Sequence, residues 1–272
     1  MSILVVIPAT SNHKPVVEIS IERLMRRFPQ ATFLVVCPSP DAFTNLRDNN
    51  VCIAADDEFA PVIRPILAAA LSPAKTHLVG WYYQQFLKYA VVAKAREARV
   101  LVVDADTIVM RDIQHRPSAF FTSKERHEPY FEHFRRLFGE TAPFKASAIT
   151  NFMWFSPDTL REMLFEIQER HNNTWWKVIV DIANNISADG AFSEYETYAN
   201  WFSLRNGHHT EVPITIFRRG DLLARSASDF ARVVGEVEAK GYDAVAFELN
   251  HRGGVLRRLG GRMVLKLAIK LW

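Results

Sequence analysis

Two carboxylates two residues apart, Asp104 and Asp106, close the apolar run Val100-Leu-Val-Val103 and are followed by Thr107. At the end of a buried strand, such a pair presents hard oxygen ligands at the mouth of a sheet. Those ligands suit Mg²⁺ or Mn²⁺, which bridge diphosphate oxygens and neutralise charge developing on a departing nucleotide. A solvated turn after a strand also contains Asp-x-Asp. The apolar strand before this pair and the Thr107-Ile-Val109 continuation after it favour a site.

The flanking pattern supplies the elements that must position these carboxylates. Ile3–Ile7, Thr32–Val36 and Val51–Ala54 are short β-branched and aliphatic runs ended by Pro8, by Cys37-Pro-Ser-Pro40 and by Asp56-Asp57-Glu58. Between them, Val16–Arg27 has helical spacing, with Val17, Ile21, Leu24 and Phe28 on one side, and Asp41–Arg47 reads as a short helix. Strand and helix in alternation predict a parallel sheet covered on both faces, whose ligands bind beyond the carboxyl ends of the strands. A long helix over Gly80–Ala98 then leads into the Val100–Val103 strand. Downstream, Phe120–Phe144 mixes aromatic and basic residues and reads as an irregular insertion or an acceptor-side subdomain. Ile149–Phe155, Val212–Phe217 and Ala244–Glu248 read as strands, and Pro157–His171, Trp175–Asn185 and Glu194–Leu204 as helices.

Composition sets the class. With 272 residues, 49% of them hydrophobic and 23% charged, the chain can build one α/β domain with appendages and hold a rigid site without disulfides. Its two cysteines, Cys37 and Cys52, form no Cys-x-x-Cys pair; a reduced cytosolic protein is the simplest expectation, with pairing left open. Met1–Ala9 is apolar without a basic leader, which fits a buried first strand better than a signal peptide. No stretch reaches the ~18 apolar residues a spanning helix needs. The net charge of +3 conceals an asymmetry, because His251–Trp272 carries six basic residues and no acidic one, leaving the remainder at −3. The basic balance thus belongs to the tail, and a general nucleic-acid-binding surface is not expected.

With these residues in view, the chain resembles the GT-A glycosyltransferases, particularly glycogenin-like enzymes and bacterial relatives that carry Leu-Asp-Ala-Asp-Thr. Gly80-Trp-Tyr-Tyr-Gln-Gln-Phe-Leu-Lys88 stands where that superfamily has a helix bearing polar or basic nucleotide contacts, and Asn151-Phe-Met-Trp-Phe155 resembles its downstream Asn-containing strand. His251-Arg-Gly-Gly254-Val-Leu-Arg257 is similar to its His-x-x-Gly-x-x-Lys, with Arg in place of Lys. The resemblance implies a GT-A-type, Rossmann-like fold in which a mostly parallel sheet is flanked by helices. It implies that Asp104 contacts ribose or metal, Asp106 ligates Mn²⁺ or Mg²⁺, His251 completes the metal site, and Lys88 and Arg257 meet phosphate. Gln84, Asn151 and Trp81 are further contacts for the nucleotide-sugar. Gln84 and Gln85 are adjacent on the helix and cannot both face the ligand.

Glycogenin-like enzymes carry Asp-Gln-Asp near the place of Phe192-Ser-Glu-Tyr-Glu-Thr-Tyr198, so the sequence departs from the family there. Glu194, which follows the loop containing Asp189-Gly190, is the expected catalytic residue, orienting an acceptor hydroxyl or acting as general base. Ser193 and Glu196 have capping-box spacing, which accounts for those two without Glu194. Among the tryptophans, Trp81 is the candidate for stacking on a ligand; Trp154, Trp175, Trp176 and Trp201 are expected in the core.

The implied activity is metal-dependent transfer of a hexose from a nucleoside-diphosphate sugar to a hydroxyl of a glycan or lipid-linked glycan acceptor, in bacterial surface polysaccharide synthesis. Stereochemistry stays open. Two rivals remain. One is a phosphatase of the haloacid dehalogenase type using Asp104 as nucleophile, against which the motif's position deep in the chain weighs. The other is a non-catalytic nucleotide-sugar-binding protein. The expected organisation is a catalytic unit over residues 1–256, with a nucleotide-sugar half at 1–113 and an acceptor side at 114–256. A basic amphipathic helix follows at 257–272. In that tail Arg258, Arg262, Lys266 and Lys270 recur every four residues, beside Leu259, Met263, Leu267 and Leu271. An anionic membrane surface is one expected partner, and packing on the catalytic unit is the alternative. The expected location is cytoplasmic, peripheral on the inner face of the membrane in the first case.

Overall fold

The computed structural model describes residues 2–116, 118–224 and 226–248. In chain order the elements are β1 (Ile3–Pro8), α1 (Lys14–Arg27), β2 (Thr32–Cys37), β3 (Val51–Ala55), α2 (Arg64–Ala70), α3 (Val79–Lys94), β4 (Arg99–Val103) and β5 (Thr107–Val109). The second half adds β6 (Ala119–Thr122), α4 (Glu128–Phe138), β7 (Phe152–Phe155), α5 (Pro157–His171), α6 (Trp175–Asn184), α7 (Glu194–Asn206), β8 (Thr210–Pro213), β9 (Ile216–Phe217), α8 (Gly220–Leu223), α9 (Ala227–Glu238) and β10 (Ala244–Ala246). The chain is therefore α/β, with a mostly parallel central sheet flanked by helices.

That sheet has the order β3-β2-β1-β4-β7. The first four strands are parallel, and β7 closes the edge antiparallel to β4. The chain steps outward from β1 to β3, then returns through α3 to place β4 on the other side of β1. Strand order thus reverses between β1 and β4, the point where an open α/β sheet leaves a crevice at its carboxyl edge. Strand alternation divides the core. Leu4, Val6, Val100 and Val102 face the helices α3, α5, α6 and α7, whereas Val5, Ile7, Leu101 and Val103 face α1.

A second sheet, β5-β10-β9, begins where the first ends, because the turn at 104–107 sends the chain from β4 into β5. Its apolar face packs Ile108, Phe217 and Val245 against Phe230, Val233 and Val237 of α9. Gly220 permits this closeness, since a Cβ there would lie 2.8 Å from the Val245 side chain.

Several sequence expectations are corrected. The Asp41–Arg47 helix is a 3₁₀ segment over Pro40–Leu46. The long helix ends at Lys94 instead of Ala98. Phe120–Phe144 is not irregular: it contains β6 and α4, whose His133, Phe134, Leu137 and Phe138 form one buried stripe. Val212–Phe217 splits between β8, paired with β6, and β9, paired with β10. The strand expected from Ile149 starts at Phe152, and that at Ala244 ends at Ala246. Cys37 is buried and Cys52 exposed, with both thiols free. No described helix is long and apolar enough to cross a membrane. The expected helix at 257–272 lies outside the described residues.

Candidate functional site

The carboxyl edge of β4 carries the acidic pair. The Asp104 amide donates to Asn151 O at 2.8 Å and its carbonyl accepts from Thr107 N at 3.0 Å, which fixes the turn. Asp104 Oδ1 accepts from Lys88 Nζ at 2.5 Å and from Tyr195 Oη at 2.8 Å. Lys88 also holds the Glu194 carboxylate. Both partners are deeply buried, Lys88 at 3% and Glu194 at 4% exposure.

Two helices deliver these groups. Along α3, Trp81, Gln85 and Lys88 stand at positions that share a helical face. At the first turn of α7, the Glu194 amide donates to Gln85 Oε1 at 3.0 Å, and Tyr89 Oη donates to Glu194 O at 2.7 Å. Burial pulls the Lys88 ammonium down, but the Asp104 and Glu194 charges outweigh it and hold Lys88 above its ordinary range. Burial pushes the Glu194 carboxyl up. Asp106, whose Oδ1 accepts from Thr107 Oγ1 at 3.0 Å, is pushed up to about 6 by burial and then by the neighbouring Asp104 charge.

A pocket opens here, lined by Trp81, Gln84, Gln85, Lys88, Asp104, Tyr130, Ile149, Asn151, Ser193, Glu194 and Tyr195. Six expected site residues, Trp81, Gln84, Lys88, Asp104, Asn151 and Glu194, thus meet in one cavity. Both glutamines line it, contrary to the expectation that only one could face this way, and Gln85 accepts the Glu194 amide. Trp81 forms a wall, stacked on Tyr130 with centroids 6.4 Å apart. Gly190 lies against it, where a Cβ would come within 3.4 Å of the Trp81 ring. Trp154, Trp176 and Trp201 are buried in the core, and Trp175 packs edge-on against Phe86.

Half of the expected capping box forms. Ser193 Oγ accepts from Glu196 N at 3.3 Å, but the Glu196 carboxylate turns inward, accepting from Ser147 Oγ and Ala148 N at 2.8 Å each and from Asn200 Nδ2 at 3.1 Å. Burial raises Glu196 to about 7.

Hard oxygen donors at the carboxyl edge of β4 are Asp104, which lines the pocket, and Asp106, which does not. Among the described residues no group of three or more His, Cys, Asp or Glu is disposed to hold a metal ion. His251 and Arg257 lie outside the described residues. Tyr195 and Tyr130 also line the pocket, and no motif in the sequence pointed to either.

The arrangement defines a class, an α/β protein with a polar, charge-paired pocket at the switch point of a mostly parallel sheet. Its family is known by sequence: the chain belongs to DUF6492, a family of unknown function, whose profile matches residues 12–224. No curated protein matches the sequence. Among solved structures, the galactosyltransferase LgtC in complex with donor and acceptor sugar analogs is similar over 98% of this chain and 95% of that chain, at 14% identity and TM-score 0.44. An active-site mutant of LgtC is similar over 98% and 95%, at 11% identity and TM-score 0.47. The apo-form glycosyltransferase GlyE of Streptococcus pneumoniae TIGR4 is similar over 98% of this chain and 63% of that chain, at 9% identity and TM-score 0.44. These values are too low to carry an activity across.

Proposed function

We propose that the protein is a GT-A-type glycosyltransferase that moves a hexose from a nucleoside-diphosphate sugar to a hydroxyl acceptor. The observation carrying this reading is the convergence of Trp81, Gln84, Lys88, Asp104, Asn151 and Glu194, drawn from four separated segments, in one pocket at the carboxyl edge of the sheet.

The donor set fits Mn²⁺ or Mg²⁺. Asp104 and Asp106 offer oxygens, and a hard dication would offset both the burial and the neighbouring Asp104 charge that raise Asp106. Such an ion, when bound, supplies charge neutralisation for the leaving diphosphate. His251 is the further ligand we propose, and Arg257 a phosphate contact. Transfer breaks the bond from the anomeric carbon to the diphosphate oxygen and joins that carbon to the acceptor oxygen. The acceptor proton leaves to a base, for which Glu194 is the group we assign. Lys88, fixed between two carboxylates, holds the Asp104 carboxylate in place. Trp81 and Tyr130 offer an aromatic wall for a sugar or base ring.

The acceptor we propose is a glycan or lipid-linked glycan of a bacterial surface polysaccharide, reached from the cytoplasmic face by a protein whose tail at 257–272 rests on anionic lipid. Flotation of the full chain with anionic vesicles at low salt tests the tail; failure to float removes the membrane role.

Hydrolysis or transfer assayed over a panel of nucleotide-sugars, with and without Mn²⁺, tests the reading. Release of nucleoside diphosphate that needs Mn²⁺ is expected. Metal-independent binding without turnover points to a binding protein, and release of phosphate from phosphomonoesters points to the phosphatase chemistry of an Asp104 nucleophile.

A further inference from the structure

The second sheet places three sequence-distant positions beside the acidic turn. Phe247 N donates to Asp106 O at 2.7 Å, Val245 pairs with Phe217 in parallel register, and Arg219 bridges to Phe247. Arg218, at the end of β9, thereby arrives at the mouth of the first sheet although it does not line the pocket.

Among the described residues its guanidinium makes four contacts. Nη1 donates to Asn151 Oδ1 at 3.1 Å, and Nη2 donates to Ile149 O at 3.3 Å. It pairs with Glu125 at 2.5 Å and lies 3.8 Å from Glu248. The chain of bonds continues past Asn151. Asn151 Nδ2 donates to Thr107 Oγ1 at 3.1 Å, and Thr107 Oγ1 donates to Asp106 Oδ1 at 3.0 Å. The Asn151 carbonyl meanwhile accepts the Asp104 amide. Asn151 holds this place in the left-handed region, at φ 63°, a conformation Asn tolerates better than most residues but not without cost.

The relay has one direction. A Thr hydroxyl that accepts from Asn151 is left with its single proton to give to Asp106. An Asn side chain that presents its NH₂ to Thr107 must present its oxygen to a donor on the other side, and Arg218 is that donor. Without that guanidinium, among the described residues only the Thr107–Asp106 bond is left to favour the NH₂ end of the amide toward Thr107.

We infer that Arg218 is a positioning residue that orients the Asp106 carboxylate for a divalent cation through Asn151 and Thr107. This rests on the reading of Asp104 and Asp106 as the cation site. Orientation by outer partners is a recurrent source of metal affinity, and losing one such partner costs about 10- to 100-fold.

Charge alone gives the opposite sign. A guanidinium near a cation site repels the cation, so removing it without any positioning role tightens Mn²⁺ binding. The sign of the change therefore separates the two effects.

The experiment is titration of the full chain with Mn²⁺ alone, followed by electron paramagnetic resonance of the free ion. Thermal unfolding and circular dichroism establish that each variant is folded. Arg218→Met and Asn151→Gly each remove one link, and glycine at 151 keeps the left-handed backbone without strain. Weakening by about 10- to 100-fold is expected for each. The double variant should be no weaker than the worse single, because both act on one relay. Arg218→Met binding Mn²⁺ as tightly as the wild type, or tighter, overturns the inference, and so does full additivity in the double variant. If Arg218→Met does not fold, Asn151→Gly decides alone, with unchanged affinity as the overturning result. A wild-type chain that binds no Mn²⁺ instead removes the cation reading itself, and the inference with it.

Discussion

Lys88 Nζ lies 2.5 Å from Asp104 Oδ1 and holds the Glu194 carboxylate on its other side. One buried ammonium thus ties the strand that carries the acidic pair to the helix that carries the candidate base. Its loss leaves Glu194 buried without its counter-ion. Lys88→Met should destabilise the fold by roughly 3–5 kcal/mol, the usual cost of breaking a buried pair on one side. Adding Glu194→Gln should recover part of that loss, since the stranded charge is then gone. Urea unfolding of the three proteins measures both steps. A Lys88→Met protein within about 1 kcal/mol of wild type would mean that the pair contributes little to the fold.

Asp106→Ala should abolish Mn²⁺-dependent affinity for nucleoside diphosphate while the protein stays folded. Its carboxylate is unfavourably placed, half-buried beside the Asp104 charge, so removing it relieves repulsion in the metal-free state. Calorimetric titration with and without Mn²⁺ reads the affinity. Equal Mn²⁺-dependent binding by wild type and variant rejects Asp106 as a ligand.

Glu194→Gln keeps the shape and, through its amide oxygen, an acceptor for Lys88, but it cannot take a proton. Turnover should fall on the order of 10²–10⁴-fold with nucleotide affinity little changed. Turnover measured at saturating donor and acceptor checks it. An unchanged rate would confine Glu194 to holding Lys88.

Glu196 gives a pH signature with a definite sign. Its carboxyl is raised from 4.5 to about 7, so the folded state binds more protons than the unfolded state between those values. The stability this group contributes is complete below 4.5 and is lost as pH rises through 7. His133 acts oppositely: burial lowers it from 6.5 to about 4, so its contribution is present above 6.5 and is lost on acidification. Wild-type stability alone therefore mixes two opposed slopes. The gap between Glu196→Gln and wild type isolates the first, and should move in favour of the variant by roughly 3 kcal/mol from pH 4.5 to above 7. Denaturant titrations at several pH values measure it, and a flat gap counts against the assignment.

The sequence by itself determined what short-range pattern controls. β-branched runs and helical spacing located β1, β2, β3 and β4, and α1, α5, α6 and α7 nearly to their ends, because backbone propensity and the burial period act within a few residues. The apolar strand ending in Asp104 marked the carboxyl edge, and the residues singled out along α3 and α7 do meet there. Tertiary structure alone decided the partners. Nothing local says that Lys88 is shared between Asp104 and Glu194, or that Glu196 leaves its cap for Ser147. Both choices follow from desolvation, which forces each buried charge to the nearest complementary group whatever its place in the chain. The same holds for Val212–Phe217, a single apolar run whose halves join different sheets, and for Arg218. Strands of two or three residues have too little pattern to announce their neighbours. Only the pairing of β9 with β10, and of β10 with β5, sets that guanidinium beside Asn151 and the acidic turn.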